Sequence, residues 1–219
     1  MPAQLSLRNQ IIPDVLLLEF SLQNPLDFQA GQFFPLTAIN PPLTDNRGNL
    51  RNFGFVNSPV QNNTISLITH NGISSFKQYL VSAPLGTEFE IGDPKGEMTL
   101  PEDLTRPLVF ITSDIGIAPY ISILRFAQDR ALPYQITVIN LPPVLFISDL
   151  NTYGRLNPRY KLLTPDSLDI LFLRDQFPEP GNLLFYITGL PHFVTNTVRI
   201  LHEWGLPPTQ MKFEIFTGY

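Results

Sequence analysis

The spacing of apolar and polar positions changes at about the middle of the chain. Across residues 1–103, short apolar runs such as 15–20 and 64–69 are separated by Pro, Gly and Asn at close intervals. Short apolar runs between turn-forming residues predict β-strands, and strands at this spacing favour an antiparallel barrel. Residues 74–81 are predicted to form its one short helix, capped by the hydroxyl group of Ser74.

After the Pro-rich segment 101–107, apolar runs alternate with helical patterns. Pro119 suits the first turn of a helix, and Gly154 and Gly205 are predicted to end helices. Alternation of this kind predicts a doubly wound parallel sheet, with ligands bound beyond the carboxyl ends of its strands. We therefore expect two domains, 1–103 and 104–219. The second contains predicted strands at 108–112, 135–139, 160–163, 183–187 and 211–216, and predicted helices at 119–130, 144–153, 167–177 and 191–204.

The composition of the 219 residues is that of an ordinary globular protein, with 43% hydrophobic and 15% charged residues. No apolar run is long enough to cross a bilayer, so we expect no membrane insertion. The amino-terminal residues do not resemble a secretion signal, and a cytoplasmic location is expected.

Charge and cysteine content exclude further classes of function. The net charge of -5 disfavours a nucleic-acid partner, which would require a basic surface. Because these residues include no cysteine, they hold neither a disulfide nor a cysteine-ligated iron–sulfur cluster. The spacing of His, Asp and Glu predicts no metal site.

Three short motifs follow one another in a fixed order: 51–54 (Arg-Asn-Phe-Gly), 72–75 (Gly-Ile-Ser-Ser) and 116–119 (Gly-Ile-Ala-Pro). Together with the carboxyl-terminal segment 214–219, they resemble the flavin and nucleotide sites of the ferredoxin–NADP reductase superfamily. The resemblance extends over nearly the whole chain, from Ala30 onwards.

The resemblance implies a six-stranded antiparallel β-barrel that binds FAD, followed by a ferredoxin reductase-like NAD(P)-binding domain with a doubly wound parallel sheet. It further implies a flavin-dependent oxidoreductase that transfers electrons between NADH or NADPH and a separate acceptor through the FAD. The acceptor is a protein or a small molecule, and an iron–sulfur protein and a flavodoxin are the candidate proteins. FMN is the alternative cofactor, although the 72–75 motif favours the dinucleotide.

The functional residues follow from the same resemblance. The guanidinium group of Arg51 suits a diphosphate, and so do the unpaired N–H groups at the start of the predicted helix. The aromatic ring of Phe53 would lie along the flavin. The residues implied for cofactor binding are Arg51, Asn52, Phe53, Gly54, Ile68, Thr69, His70, Gly72, Ile73, Ser74, Ser75, Ile115, Gly116 and Tyr219, and those implied for catalysis are Gly54, Thr188, Glu214 and Tyr219.

Several positions depart from the superfamily pattern. Gly54 replaces a serine, Ser113 and Asp114 replace two glycines, Ile115 replaces a threonine, and Thr188 replaces a cysteine. The loop at 140–143 lacks the serine and arginine that hold the 2'-phosphate of NADPH. These departures support an alternative, a flavin-binding or interaction subunit that has lost reduction by NAD(P)H.

Purely structural interpretations also stay open for these residues. They are an exposed loop at 51–54, a solvated turn at His70, helix caps at Ser74 and Ser75, a tight turn at 116–119, a solvent-facing Glu214 and a frayed chain end at Tyr219.

Overall fold

The computed structural model describes residues 1–72 and 74–216. By its internal contacts the chain divides into two compact units. The first comprises Met1–Thr99 and Ala118–Phe126, and the second comprises Leu100–Ile117 and residues 127–216. The boundary between 103 and 104 stays a prediction.

The first unit is built on a six-stranded sheet in the order β4-β3-β6-β1-β2-β5, in which every pair of neighbours is antiparallel. The outer strands approach each other, since the backbone N–H of Val56, just after β4, donates to Ser66 O in β5 at 2.9 Å. The predicted six-stranded antiparallel architecture is confirmed. Its strands are β1 (Pro2–Ile12), β2 (Val15–Leu22), β3 (Phe33–Ala38), β4 (Leu50–Gly54), β5 (Thr64–His70) and β6 (Glu88–Ile91).

A short helix, α1 (Ser75–Ser82), follows β5 as predicted. The hydroxyl oxygen of Ser74 accepts a hydrogen bond from the backbone N–H of Lys77 at 3.3 Å, which satisfies a donor that every helix start leaves unpaired. Phe76 and Leu80 of this helix are buried in the core of the first unit, against Phe34, Phe53 and Phe89. This packing fixes the position of the helix amino terminus.

The second unit contains a five-stranded parallel sheet in the order β11-β10-β7-β8-β9, which confirms the predicted doubly wound class. Its elements are β7 (Leu108–Ser113), a 3-10 turn (Asp114–Ile117), α2 (Ala118–Asp129), β8 (Ile136–Leu141), α3 (Ile147–Leu156), β9 (Tyr160–Leu163), α4 (Ile170–Gln176), β10 (Leu184–Gly189), α5 (Pro191–Glu203) and β11 (Met211–Ile215). Of α2, residues Ala118–Phe126 belong to the first unit.

Packing on one face of this sheet follows from strand alternation. Ile111 of β7 and Ile187 of β10 pack against Leu173 of α4 and Val194 and Leu201 of α5. The residues next to them in each strand, including Thr112 and Thr188, therefore point to the opposite face.

Two sequence expectations for the helices are wrong. Gly154 lies inside α3 and does not end it; because it lacks a Cβ, which would lie 3.0 Å from the Tyr160 ring, that ring can approach the helix closely. Helix α4 begins at Ile170 because the Asp169 carboxylate accepts from the Phe172 N–H at 2.8 Å and caps the helix there. Gly205, with φ +98°, does follow the end of α5.

Candidate functional site

Arg51 of β4 is buried, with 7% of its surface exposed. Its Nη1 donates to the carbonyl oxygens of Arg47 at 2.9 Å and Leu50 at 2.6 Å, and its Cζ lies 5.3 Å from the centre of the Phe76 ring. Nη2 makes no hydrogen bond within the described residues and lies 3.8 Å from Oδ1 of Asp45. The guanidinium group therefore keeps one buried donor directed at an acidic neighbour.

Asp45 links the loop before β4 to the start of α1. The backbone N–H of Ser75 donates to Oδ2 of Asp45 at 3.0 Å, and the N–H of Asp45 donates to Oγ of Ser75 at 2.9 Å. Oδ1 of Asp45 also accepts from the N–H of Arg47 at 2.9 Å. The backbone N–H groups of Arg47 and Ser75 lower the pKa of the Asp45 carboxyl group. Sequence reasoning missed Asp45, because no local motif marks it.

Arg51, Ser74 and Ser75 are thus brought together at one end of α1. Phe53 lies beside them within the core, where its ring stacks on Phe76 with centroids 6.2 Å apart. Asn52 is exposed, since it points to the other face of β4. The predicted ligand contacts of Asn52 and Phe53 stay predictions.

The β5 residues that the sequence resemblance implies for cofactor binding lie at the end of that strand. Ile68 and Thr69 are buried and His70 is half-buried, and the Thr69 hydroxyl donates to the carbonyl oxygen of His70 at 3.2 Å. At Gly72, any Cβ would lie 2.2 Å from Cδ and 2.9 Å from Cβ of the buried Lys77 side chain, so a larger residue would force that side chain to move. Ile73 and Tyr219 lie outside the described residues.

Gly54 is packed against the beginning of α2. A Cβ at this position would lie 3.3 Å from Cδ of Pro119 and 3.4 Å from Cβ of Ala118. The same part of α2 is hydrogen-bonded to the segment after β4, because the Ser122 hydroxyl donates to Asn57 O at 2.7 Å. The serine of the superfamily pattern would therefore fit here only after its neighbours moved by a few tenths of an ångström.

Gly116 lies in the 3-10 turn that follows β7. A Cβ would lie 2.7 Å from Oγ1 of Thr112, 2.8 Å from the carbonyl oxygen of Thr188 and 2.9 Å from Cα of Gly189. The Thr188 hydroxyl donates to the Gly116 carbonyl oxygen at 2.7 Å and is fully buried. Thr188 and Gly116 are thus brought together, with Thr188 fixing the turn.

The same turn begins at Asp114, where the superfamily pattern has glycine. Asp114 has φ 55°, a left-handed conformation that glycine adopts readily and aspartate tolerates better than most residues. Ile115 beside it is half-buried. The turn therefore has a left-handed residue at the position where the superfamily pattern has glycine.

Four polar residues lie in one register row across the carboxyl end of the parallel sheet: Glu214, Thr188, Thr112 and Asn140. In-register residues of parallel strands point to the same face, which is the face opposite α4 and α5. Thr112, Thr188 and Asn140 are fully buried. Burial raises the pKa of the Glu214 carboxyl group to about 7.

Asn140 was not among the predicted site residues. Neither its amide nitrogen nor its amide oxygen has a hydrogen-bond partner in the part of the chain that the structure describes. Its sequence signal is only that of a polar amide directly after the apolar residues of a predicted buried strand. A buried amide without partners costs stability, so such a group is typical of a position that serves a ligand or water.

Replacing Asn140 by leucine, which has a similar shape, should raise the free energy of unfolding by about 1–2 kcal/mol, because the cost of burying the amide disappears. Chemical denaturation measures the change. As a control, Asn157→Leu should destabilise the protein, since the Asn157 amide donates to the Tyr153 hydroxyl and accepts from the Arg159 N–H. A loss of stability in Asn140→Leu would show that the Asn140 amide is satisfied.

Comparison with protein-family models finds no match. Among curated proteins, the flavohemoprotein of Halalkalibacterium halodurans is 25% identical over 154 residues, covering 60% of this chain and 37% of that protein. The reductase component 1 of terephthalate 1,2-dioxygenase from Comamonas sp. is 31% identical over 130 residues, covering 58% of this chain and 37% of the relative. This chain spans about half, or less, of the length of the curated relatives it matches.

Solved structures match over nearly the whole chain. The flavohem-like FAD/NAD-binding domain of nitric oxide dioxygenase from Vibrio cholerae O1 biovar El Tor superposes with a TM-score of 0.81 at 15% identity, covering 98% of each chain. The cytochrome P450 reductase of Amycolatopsis gives a TM-score of 0.82 at 19% identity, covering 99% of this chain and 70% of that one. The fold implied by the sequence resemblance is confirmed.

Proposed function

We propose that this chain, which has the two-domain fold of ferredoxin–NADP reductase-like FAD/NAD-binding proteins, is a flavin-dependent oxidoreductase that uses NADH or NADPH. Electrons would pass from the pyridine nucleotide through FAD to a separate acceptor. The observation that supports this most is the buried Arg51 guanidinium group beside the first N–H groups of α1.

These residues fit the diphosphate of FAD. Nη2 of Arg51 is a buried donor without a hydrogen bond to any described residue, and Ser75 N–H is a donor at a helix start. Both favour an anion, and Gly72 keeps the loop compact beside them. When bound, FAD supplies the hydride and electron-transfer chemistry, while the chain supplies binding and orientation. The predicted neighbours Ile68, Thr69 and His70 would line the same cofactor.

The pyridine nucleotide would bind at the carboxyl end of the parallel sheet, where open α/β sheets bind their ligands. Gly116 and Thr188 would hold the turn after β7 in shape, through the hydrogen bond between them. Glu214, whose pKa of about 7 lets it gain or lose a proton near neutral pH, would exchange a proton there. Ile115 would lie beside the nucleotide in this turn, and Gly54 stays a predicted flavin neighbour within the first unit.

A second candidate function is a flavin-binding or interaction subunit that NAD(P)H does not reduce. The observation in its favour is Asp114, a half-buried carboxylate in the turn where the superfamily pattern has glycine. Negative charge there would repel a nucleotide diphosphate.

The acceptor is proposed to be a separate protein of the iron–sulfur or flavodoxin type. One relative is named as the reductase component of a dioxygenase, which supports a protein acceptor. None of the described helices is both long and apolar enough to cross a membrane. The cytoplasmic location stays a prediction.

The visible absorbance of the protein loaded with FAD tests the two candidates. Under anaerobic conditions, excess NADH and then NADPH should bleach the flavin absorbance, and the faster nucleotide identifies the co-substrate. A bound flavin that stays oxidised with both nucleotides would favour the subunit. Loading with FMN in parallel tests the alternative cofactor.

Arg51→Gln should weaken FAD binding at least about tenfold, because a charged donor to the diphosphate is lost. Its affinity for riboflavin, which has no phosphate, should change little. Quenching of flavin fluorescence measures both affinities. Arg130→Gln is the control, since Arg130 is an exposed arginine directly after α2. Equal losses for FAD and riboflavin would contradict a phosphate contact and indicate a distorted barrel.

A further inference from the structure

The anion site at the start of α1 already holds an anion that belongs to the chain. The Asp45 carboxylate accepts from the N–H groups of Ser75 at 3.0 Å and Arg47 at 2.9 Å, and Oδ1 lies 3.8 Å from Nη2 of Arg51. The donors on Ser75 and Arg51 are also the two that are proposed above to bind the diphosphate. A diphosphate and the Asp45 carboxylate would therefore compete for the same positive charge.

The helix start is supported as an anion site by a second observation. Arg51 has 7% of its surface exposed, and Nη2 makes no hydrogen bond to any of the residues that the structure describes. At 3.8 Å from Asp45, the Arg51 guanidinium group is an ion-pair partner of that carboxylate but not a hydrogen-bond donor to it. The Asp45 carboxylate therefore leaves Nη2 of Arg51 without a hydrogen bond. An anion that accepts a hydrogen bond from Nη2 would bind the site more strongly than the carboxylate does.

The loop that bears Asp45 is built so that its tip can be released. The two ends of this loop are joined by two hydrogen bonds between Ala38 and Asn49. Ala38 N–H donates to Asn49 O, and Asn49 Nδ2 donates to Ala38 O, both at 2.9 Å. The part of the loop around Asp45 is joined to α1 through the reciprocal Asp45 and Ser75 pair, and Arg51 Nη1 also donates to the carbonyl oxygens of Arg47 and Gly48. Asp45 is 30% exposed and Leu43 is 71% exposed, so moving the tip uncovers little apolar surface.

We infer that Asp45 is an internal ligand of the diphosphate subsite. Its carboxylate occupies the Ser75 and Arg51 donors in the flavin-free chain and is displaced when FAD binds. This inference rests on the proposed flavin function. Asp45 thereby lowers the affinity for phosphate-bearing flavins without affecting the contacts to the ring system. Its displacement would also free the Ser75 hydroxyl, which now accepts from the Asp45 N–H.

The test compares Asp45→Asn and Asp45→Ala with the unchanged chain, using flavin-free protein and fluorescence quenching. Both variants should bind FAD about tenfold more tightly, a ratio of the size expected when a competing charged group is removed. Riboflavin affinity should stay the same. Asp27→Asn, which removes an exposed carboxylate from the same unit, should leave both affinities unchanged and so controls for net charge. Unchanged or weaker FAD binding in both Asp45 variants would overturn the inference.

Inorganic pyrophosphate separates this inference from the proposed function. If neither the unchanged chain nor any variant binds a flavin, the proposed function fails. The rise in Tm caused by pyrophosphate then still tests whether a diphosphate displaces the Asp45 carboxylate. A larger pyrophosphate-induced rise in Tm for Asp45→Asn than for the unchanged chain and Asp27→Asn would support displacement of the carboxylate. Equal rises in all three proteins would refute it.

Discussion

Gly116→Ala should destabilise the protein by about 2–3 kcal/mol, because overpacking a tight site forces backbone shifts. The new methyl group would lie 2.8 Å from the Thr188 carbonyl oxygen and 2.9 Å from Cα of Gly189, which are both backbone atoms. It would also lie 2.7 Å from Oγ1 of Thr112. A flexible side chain could turn away from such a contact, but the backbone of β10, to which Thr188 and Gly189 both belong, cannot. Chemical denaturation of the ligand-free chain measures the loss.

The control for this substitution is Gly181→Ala, in the same unit. A Cβ at Gly181 meets nothing within 4 Å, and its φ lies outside the left-handed range. Its stability should therefore stay constant or rise slightly, as the unfolded chain loses freedom. Equal stability of the two variants would contradict the close packing described for Gly116. A large loss in Gly116→Ala alone would mean that this glycine is required for packing even when no nucleotide is present.

The elements could be predicted from the sequence because hydrophobic spacing and helix caps are local signals. The Ser74 cap, the parallel strands and the helix after Leu190 all follow from neighbouring residues. The error at Gly154 has a different origin: whether a glycine ends a helix or admits a neighbouring ring depends on Tyr160, which belongs to the next strand.

The candidate site could be predicted only where a motif marks it. Arg51, Ser74 and Ser75 come together at one end of α1, as their motifs suggested. Asp45 was missed because its contact with Ser75 joins residues 30 positions apart. Asn140 was missed because the burial of its amide depends on the whole sheet.

The stability of the chain should fall as pH rises from about 4.5 to about 7, owing to Glu214. Burial raises the pKa of this carboxyl group from its ordinary value of 4.5 to about 7, so the folded state binds the proton more tightly than the unfolded state. The stability that this tighter proton binding gives the folded state is fully present below pH 4.5 and is lost as pH rises to about 7. The pKa difference corresponds to about 3 kcal/mol.

Glu214→Gln should remove this dependence, because glutamine resembles the protonated carboxyl group at every pH. At pH 8 the variant should be more stable than the unchanged chain by about 3 kcal/mol, and at pH 4 the two should be nearly equal. Glu203→Gln is the control, since Glu203 is 53% exposed and should leave the pH profile unchanged. Denaturation at pH values from 4 to 8 gives both profiles. Parallel profiles for Glu214→Gln and the unchanged chain would mean that the Glu214 carboxylate is solvated, and a proton exchange near neutral pH would then need another group.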